Sequence, residues 1–358
     1  MRARRLTLAT ALVTAVTAGG LLTACGPNSA TGASSPAPVV SGSRPASAQA
    51  SAQASASAPS GGPTTGSGGG GRTGGSGGTG GATAAPVSLN GTAGSMLTIS
   101  DGTSRVVMNG TVVDFGVVVR DLAWSPDGRK AAFVDGDGNL DTANADGSGR
   151  IVVAHNPGGV TWSHPAWEVV TYQAQVGIPA RDNLFFVSGS GATTRLMGVP
   201  ATGGTPAPIS VDGEPGAGGA LPTAGNTWIN GQGTTGETVY ANSATGEVYI
   251  RDDYSRQQGS ALTNGSEPAI VPGAADGGIV FVRSVGGHDH VFLERLTQAN
   301  PVITDLTPGA TTDCTEPAVS PDGRTVAVRT PNGVAVVPID GSAAPRLVST
   351  TPGLPAYR

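Results

Sequence analysis

The chain has 358 residues and a formal net charge of −5, with 13% charged and 4% aromatic residues against 57 glycines and 27 prolines. That is too little charge for a soluble domain throughout, so part of the chain lies outside any domain. The glycines keep no three-residue period, and no apolar run beyond residue 25 approaches the roughly 18 residues that cross a bilayer, which excludes a collagen-like chain and a later membrane span.

Residues 1–24 read as a secretory signal. Arg2, Arg4 and Arg5 form a positive n-region and Leu6 to Ala24 an apolar stretch. It ends in Leu22-Thr23-Ala24-Cys25, which resembles the bacterial lipobox; that resemblance implies cleavage before Cys25 and diacylglyceryl and palmitate attachment to it. Each buried methylene contributes about 0.8 kcal/mol, so two or three acyl chains hold a protein on a membrane. The expected location is the outer face of the cytoplasmic membrane, in the cell envelope. Cleavage would leave Cys314 as the single thiol, with no intrachain disulfide, and nothing adjacent in sequence activates it, so it reads as a buried structural cysteine.

Residues 25–90 carry the lipidated cysteine and a linker. From Gly26 to Asn90, 55 of 65 residues are Gly, Ser, Ala, Pro or Thr, too polar and small to bury a core, and the segment is expected to stay a disordered coil. Its root-mean-square span would be about 40 to 50 Å. Residues 91–358 remain for folding, and they hold all 25 acidic residues and 15 of the 20 basic ones, a net of −10 that makes nucleic acid a poor partner. One lysine against 19 arginines suggests a GC-rich genome, with actinobacteria one candidate source.

This head repeats itself. Ala123-Trp124-Ser125-Pro126-Asp127-Gly128-Arg129 returns as Ala318-Val319-Ser320-Pro321-Asp322-Gly323-Arg324. Pro165-Ala166-Trp167, Pro268-Ala269-Ile270 and Pro317-Ala318-Val319 each open a unit, and Leu221-Pro222-Thr223 reads as a degenerate opener. The spacing, roughly 43 to 55 residues, suits four-stranded propeller blades. In the last full unit the predicted strands are Pro317 to Ser320, Thr325 to Arg329, Gly333 to Pro338 and Arg346 to Ser349. Pro321-Asp322-Gly323 and Asn332-Gly333 supply the turns. The unit at Ala123 continues through Lys130 to Val134, Asn139 to Ala143 and Arg150 to Ala154.

The Ser-Pro-Asp-Gly turn (Ser125, Pro126, Asp127, Gly128; Ser320, Pro321, Asp322, Gly323) ahead of an apolar strand resembles the TolB-like, WD-repeat-like propeller family. The resemblance spans nearly all of residues 91–358 and implies an all-β six-bladed propeller of four-stranded antiparallel blades, with protein-interaction roles. Five units open near Leu122, His164, Ala220, Glu267 and Glu316. Three further strands, Met96 to Ser100, Arg105 to Met108 and Thr111 to Phe115, lack an opener, and Gly353-Leu354-Pro355-Ala356-Tyr357 would supply it and close the ring as a sixth blade.

In such blades the A–B and C–D turns share one face, and the B–C turns and the links between blades the other. All four histidines map to the second: His155 and His164 to the first link, His288 and His290 to a turn of the fourth full blade. Asp135, Asp137, Glu267, Asp313 and Glu316 map there too. A His-rich mouth of this kind could bind a divalent metal, with His288, His290, Asp135 and Asp137 as candidate ligands, or stand as solvated loop residues; no cofactor is otherwise expected. Asp135-Gly136-Asp137-Gly138-Asn139 partly imitates a calcium loop but reads better as a hairpin turn. Trp124 and Trp167 read as core between blades, whereas Trp162 and Trp228, placed in loops, are candidates for stacking on a sugar. Long loops at Tyr172 to Asn183 and Gly225 to Glu237 are candidate binding loops on the Ser-Pro-Asp-Gly face.

Two function classes follow. The first is a lipid-anchored, non-catalytic scaffold binding an envelope protein, peptide or glycan. The second is an extracytoplasmic enzyme, a lyase or hydrolase, or a metal-dependent binder using the His-rich mouth.

Overall fold

A computed structural model describes residues 89–175, 177–211, 221–231, 236–251, 259–273, 278–295 and 301–358. The signal segment, Cys25 and nearly all of the linker lie outside them. The described residues form 24 strands and one 3-10 turn, Gly191–Thr193. In chain order the strands run β1 (Leu97–Ser100), β2 (Arg105–Met108) and β3 (Thr111–Asp114), then β4 (Arg120–Trp124), β5 (Lys130–Val134), β6 (Leu140–Asn144) and β7 (Ile151–Ala154). Next come β8 (Trp162–Val170), β9 (Arg181–Ser188), β10 (Arg195–Pro200) and β11 (Ala207–Pro208), followed by β12 (Asn226–Gly231), β13 (Thr238–Asn242), β14 (Glu247–Arg251) and β15 (Gly259–Asn264). The last are β16 (Ser266–Ile270), β17 (Ile279–Val285), β18 (His288–Arg295) and β19 (Val302–Asp305), then β20 (Thr315–Val319), β21 (Thr325–Thr330), β22 (Gly333–Pro338), β23 (Arg346–Ser349) and β24 (Leu354–Tyr357).

These make six antiparallel four-stranded sheets, five of them from consecutive strands. The sixth takes β24 as its inner strand and β1, β2 and β3 outside it, with Leu97 opposite Tyr357 and Ser100 opposite Leu354. The inner strands β4, β8, β12, β16, β20 and β24 contact one another in that order and back to β4, so the ring is closed. Closure follows from the Pro-Ala opener at the far end of the chain, which gives β1 to β3 their inner strand.

The core lies between blades. Six apolar clusters each join two neighbouring sheets. Strand β5 shows why its sequence, Lys-Ala-Ala-Phe-Val, reads as a continuous apolar run: Ala131 and Phe133 face the sixth blade, while Ala132 and Val134 face the second. A strand covered on both faces has no polar side to show. Trp124 and Trp167 sit in this core as expected, and each donates its indole N–H to the preceding blade, Trp124 to Thr98 Oγ1 at 2.9 Å and Trp167 to the Ala123 carbonyl at 3.2 Å.

The repeated turn has the same bonds both times. Ser125 Oγ donates to Asp127 Oδ1 (2.7 Å) and accepts from Lys130 N (3.0 Å); Ser320 Oγ donates to Asp322 Oδ1 (2.6 Å) and accepts from Thr325 N (3.0 Å). The glycine closes each turn with a positive φ, 67° at Gly128 and 66° at Gly323. Both aspartates are held below the usual carboxylate range, first by the serine hydroxyl and then by the backbone N–H groups of the turn.

Three expectations need correction. The third full blade opens on β12, not at Leu221-Pro222-Thr223, so the first half of the Gly225 to Glu237 loop is strand. Trp162 and Trp228 are strand residues rather than loop residues, and so is His164, within β8. Pro222 suggested an opener because Pro-Ala marks three other blades, but β12 carries Trp228-Ile229 at that place and no proline.

At its first described residues the chain runs along the outer strand of the fifth blade. Asn90 pairs with Ser349, Gly91 N donates to Val348 O (2.6 Å) and Thr350 N to Leu89 O (3.1 Å). Leu89 therefore lies at the link face, and the chain crosses to the turn face, where Thr92 Oγ1 accepts from Gly110 N (2.9 Å), before β1 begins.

Candidate functional site

Five inner strands carry the same irregularity near their start. The pairing of β4, β8, β12, β16 and β20 with the next strand slips by one residue, a β-bulge in each. Each bulge holds one non-glycine residue in the left-handed region: Asp121 (φ 53°), His164 (51°), Trp228 (50°), Glu267 (51°) and Glu316 (54°). Such a backbone costs roughly 1 to 3 kcal/mol per residue. The residue before a proline is normally extended, and three of these five precede one. Bulges re-aim side chains, and here they turn one side chain per blade at the link end of the ring. Strand β24 pairs with β1 without a slip, so the sixth blade keeps Leu354 there.

These positions stand at one end of a central cavity of about 430 Å³ that runs between the inner strands to Pro126, Pro321 and Arg358 at the turn face. Asp121, His164, Trp228 and Glu316 line it. Asp121 Oδ2 accepts the backbone N–H of His164 (3.0 Å) and Glu267 Oε2 that of Glu316 (2.5 Å), so each carboxylate clasps the bulge of the next blade. The His164 ring lies 4.2 Å from that of Trp228, centroid to centroid, tilted by 44°. Arg329 Nη1 donates to both carboxylate oxygens of Glu316, at 3.0 and 3.2 Å.

The electrostatics follow from crowding acids where water is scarce. Burial pushes Glu267 up to about 7, the Glu316 N–H draws it back, Glu316 and Asp289 push it further and Arg329 opposes them. Burial also raises Glu316, against Arg329 and with Asp121. Burial lowers His164, which keeps its imidazole neutral against the pull of Asp121.

A raised folded-state pKa for Glu267 means that the native state holds a proton the unfolded state gives up. Stability is therefore greatest below its ordinary value near 4.5 and is lost as pH rises through about 7. The loss is on the order of 2 to 3 kcal/mol. Glu267→Gln keeps a carbonyl for the Glu316 N–H and removes the titration, so thermal melts between pH 5 and 8 are expected to fall less steeply in the variant. Asp141, pushed to about 7 by burial despite Arg150, titrates in the same window, so part of the slope remains.

The sequence-predicted residues are distributed differently from one His-rich mouth. Of the four histidines only His164 lines the cavity. His155 is exposed beyond β7. His290 is buried in the fourth blade, its Nδ1 2.9 Å from Asp305 Oδ2, and the more exposed His288 lies 3.6 Å from Asp313 Oδ1. Asp135 accepts from the backbone of Asp137 and Asn139 (2.9 and 2.8 Å) as the organiser of a hairpin turn, and Asp137 is exposed. No group of three or more His, Cys, Asp or Glu placed to hold a metal occurs among the described residues. Trp162 is buried against Phe186, at 4.7 Å, and Tyr172 is 69% exposed beyond β8 at the turn face. Trp228 lines the link-end mouth instead. Cys314 is free and buried, and burial raises its thiol. No described helix is long and apolar enough to cross a membrane.

Asp121 is the ring member that sequence reasoning did not single out. Its signal was position: it stands one residue ahead of Leu122-Ala123, as His164, Glu267 and Glu316 stand ahead of Pro-Ala.

No family model and no curated protein sequence matches the chain. Among solved structures it is similar to TolB from Acinetobacter baumannii, with 14% identity and a TM-score of 0.50 over 73% of this chain and 65% of that one. It is also similar to a structure of a nidogen/laminin complex, with 11% identity and a TM-score of 0.48 over 73% of this chain and 97% of that one. The chain thus spans slightly less than two-thirds of the length of the TolB structure, and what the two share is the fold, a TolB-like six-bladed β-propeller.

Proposed function

We propose that this protein is a lipid-anchored, extracytoplasmic binding scaffold of the cell envelope that engages its partner, without catalysis, at the link-end mouth of the channel. The observation that carries the reading is the ring of five left-handed bulge residues, four of them lining a cavity of about 430 Å³. A left-handed backbone held at five equivalent places around one cavity supports a site. The acids support binding over chemistry: Asp121 and Glu267 are engaged as clasps between blades and Glu316 by Arg329. His164 Nδ1 has no hydrogen-bond partner among the described residues, so the imidazole lacks the orienting group that a general base requires.

The test is in-cell crosslinking of the full chain with mass spectrometry, alongside a Trp228→Ala/Glu316→Ala double variant and a chain shortened within residues 171–180. A partner captured by the parent, kept by the loop variant and lost by the ring variant is the expected result. Equal capture by the ring variant, or none by a folded and displayed parent, would overturn the assignment. Cys25→Ala is expected to move the protein from the detergent phase to the aqueous phase in a phase-partition assay. Retention in the detergent phase would remove the lipid anchor from the reading.

A further inference from the structure

The two ends of the channel differ in chemistry. At the link end stand Asp121, Glu267 and Glu316, with Asp289 near enough to push Glu267 up, and Arg329 is the basic group that opposes them. His164 is held neutral by burial, so it adds no positive charge. Its Nδ1 is sealed from solvent and has no partner among the described residues. Deeper in, the walls are Pro165, Ala166, Ile229, Ala269 and Pro317, which offer contact but no hydrogen bonds from their side chains.

This combination selects among ligands. An anion meets Asp121 and Glu316 in the cavity wall, with Glu267 behind them. A bare metal ion finds no set of three ligands among the described residues. A neutral sugar could stack on Trp228, yet it would gain nothing from the net negative charge of the mouth, where Arg329 is set against Asp121, Glu267 and Glu316. An organic cation satisfies each feature: several N–H donors for carboxylates, positive charge beside an aromatic face, and a carbon stem for apolar walls.

From this arrangement, and resting on the reading of the mouth as the binding site, we propose that the mouth takes the head of an alkylammonium or guanidinium ligand among Asp121, His164 and Glu316, with its stem along Trp228 and the inner strands. The same chemistry is offered by a lysine or arginine side chain of a partner polypeptide and by a free alkylamine. A bound cation favours the ionised form of the two acids that burial raises, Glu267 and Glu316, with Arg329 already opposing that rise, so binding near neutral pH expels protons.

Calorimetry on the full chain in detergent tests this with three probes: N-acetyl-lysine methylamide, its uncharged isostere N-acetyl-norleucine methylamide, and cadaverine. The lysine probe or cadaverine is expected to saturate below about 10 mM. The norleucine probe should bind at least about tenfold more weakly, and the heat should differ between phosphate and Tris buffers as protons leave. Glu316→Gln and Trp228→Ala should each weaken the cation at least about tenfold with the melting temperature kept; Glu316→Gln alone decides should Trp228→Ala not fold. Tighter binding of the lysine probe than of cadaverine assigns a polypeptide side chain, and the reverse order a free amine. Equal affinity for the norleucine probe, or no binding by either cation, overturns the proposal. If crosslinking still loses a partner on ring mutation while no cation binds, the mouth remains the binding site and only the chemistry assigned to it fails.

Discussion

A chain lacking residues 354–358 is expected not to fold as a ring. Strand β24 is the inner strand of a blade whose other three strands come from the opposite end of the described chain, so its loss opens the propeller and bares β1, including Leu97 and Ile99, now 1% and 0% exposed. Several fastenings go with it: Thr98 Oγ1 to the Ala356 carbonyl at 2.9 Å, Arg358 Nε to the Gly128 carbonyl at 2.8 Å, and Tyr357 OH with Thr325 Oγ1 at 3.2 Å. The ladder hydrogen bonds and apolar area lost exceed about 5 kcal/mol, which at this size lowers the melting temperature by at least about 10 °C. An exposed inner strand is also a template for pairing with other chains, so light scattering should show aggregation. A soluble monomer with parental melting would mean that blade six is stable with three strands.

The second large effect is local. Gly333 opens β22 with φ 123°, in the Asn332-Gly333 hairpin turn. A Cβ there would collide with the Ser349 carbonyl oxygen and lie 2.9 Å from Thr350 Cα and 3.0 Å from the Ser349 carbonyl carbon, all of them backbone. No side chain can rotate away, so the end of β23 must move, where Val348 and Ser349 are 3% and 0% exposed. Gly333→Ala is expected to cost about 3 to 5 kcal/mol by denaturant unfolding. Gly309→Ala is the matched control: a Cβ there meets nothing within 4 Å and φ is not positive, so its change should stay within about 0.5 kcal/mol. Equal losses in the two variants would show that the contact at Ser349 is not what sets the cost.

The two kinds of information in this sequence differ in how local they are. The Ser-Pro-Asp-Gly turn was legible because its bonds close within six residues, Ser125 to Lys130, so the residue types alone specify it. Blade closure was legible because Pro355-Ala356 repeats the opener found at Pro165-Ala166, Pro268-Ala269 and Pro317-Ala318. The ring was not. Its members are Asp, His, Trp, Glu and Glu, and what they share is a backbone angle that leaves no residue-type signature. The histidines misled for a related reason. Loop assignment gives a face of the propeller but not a radius, and His288 and His290 sit on β18, two strands out from the channel wall.

The short pairing of residues 89–91 with β23 places the point where the chain leaves the ring at the same end as the mouth. A force applied at Leu89 along the strand would load the Gly91 to Val348 and Thr350 to Leu89 bonds together, in shear, instead of unzipping them in turn. Because β23 is the outermost strand of its blade, a force entering there acts at the rim and not along the channel, so it would lever the fifth blade before it reached the inner strands.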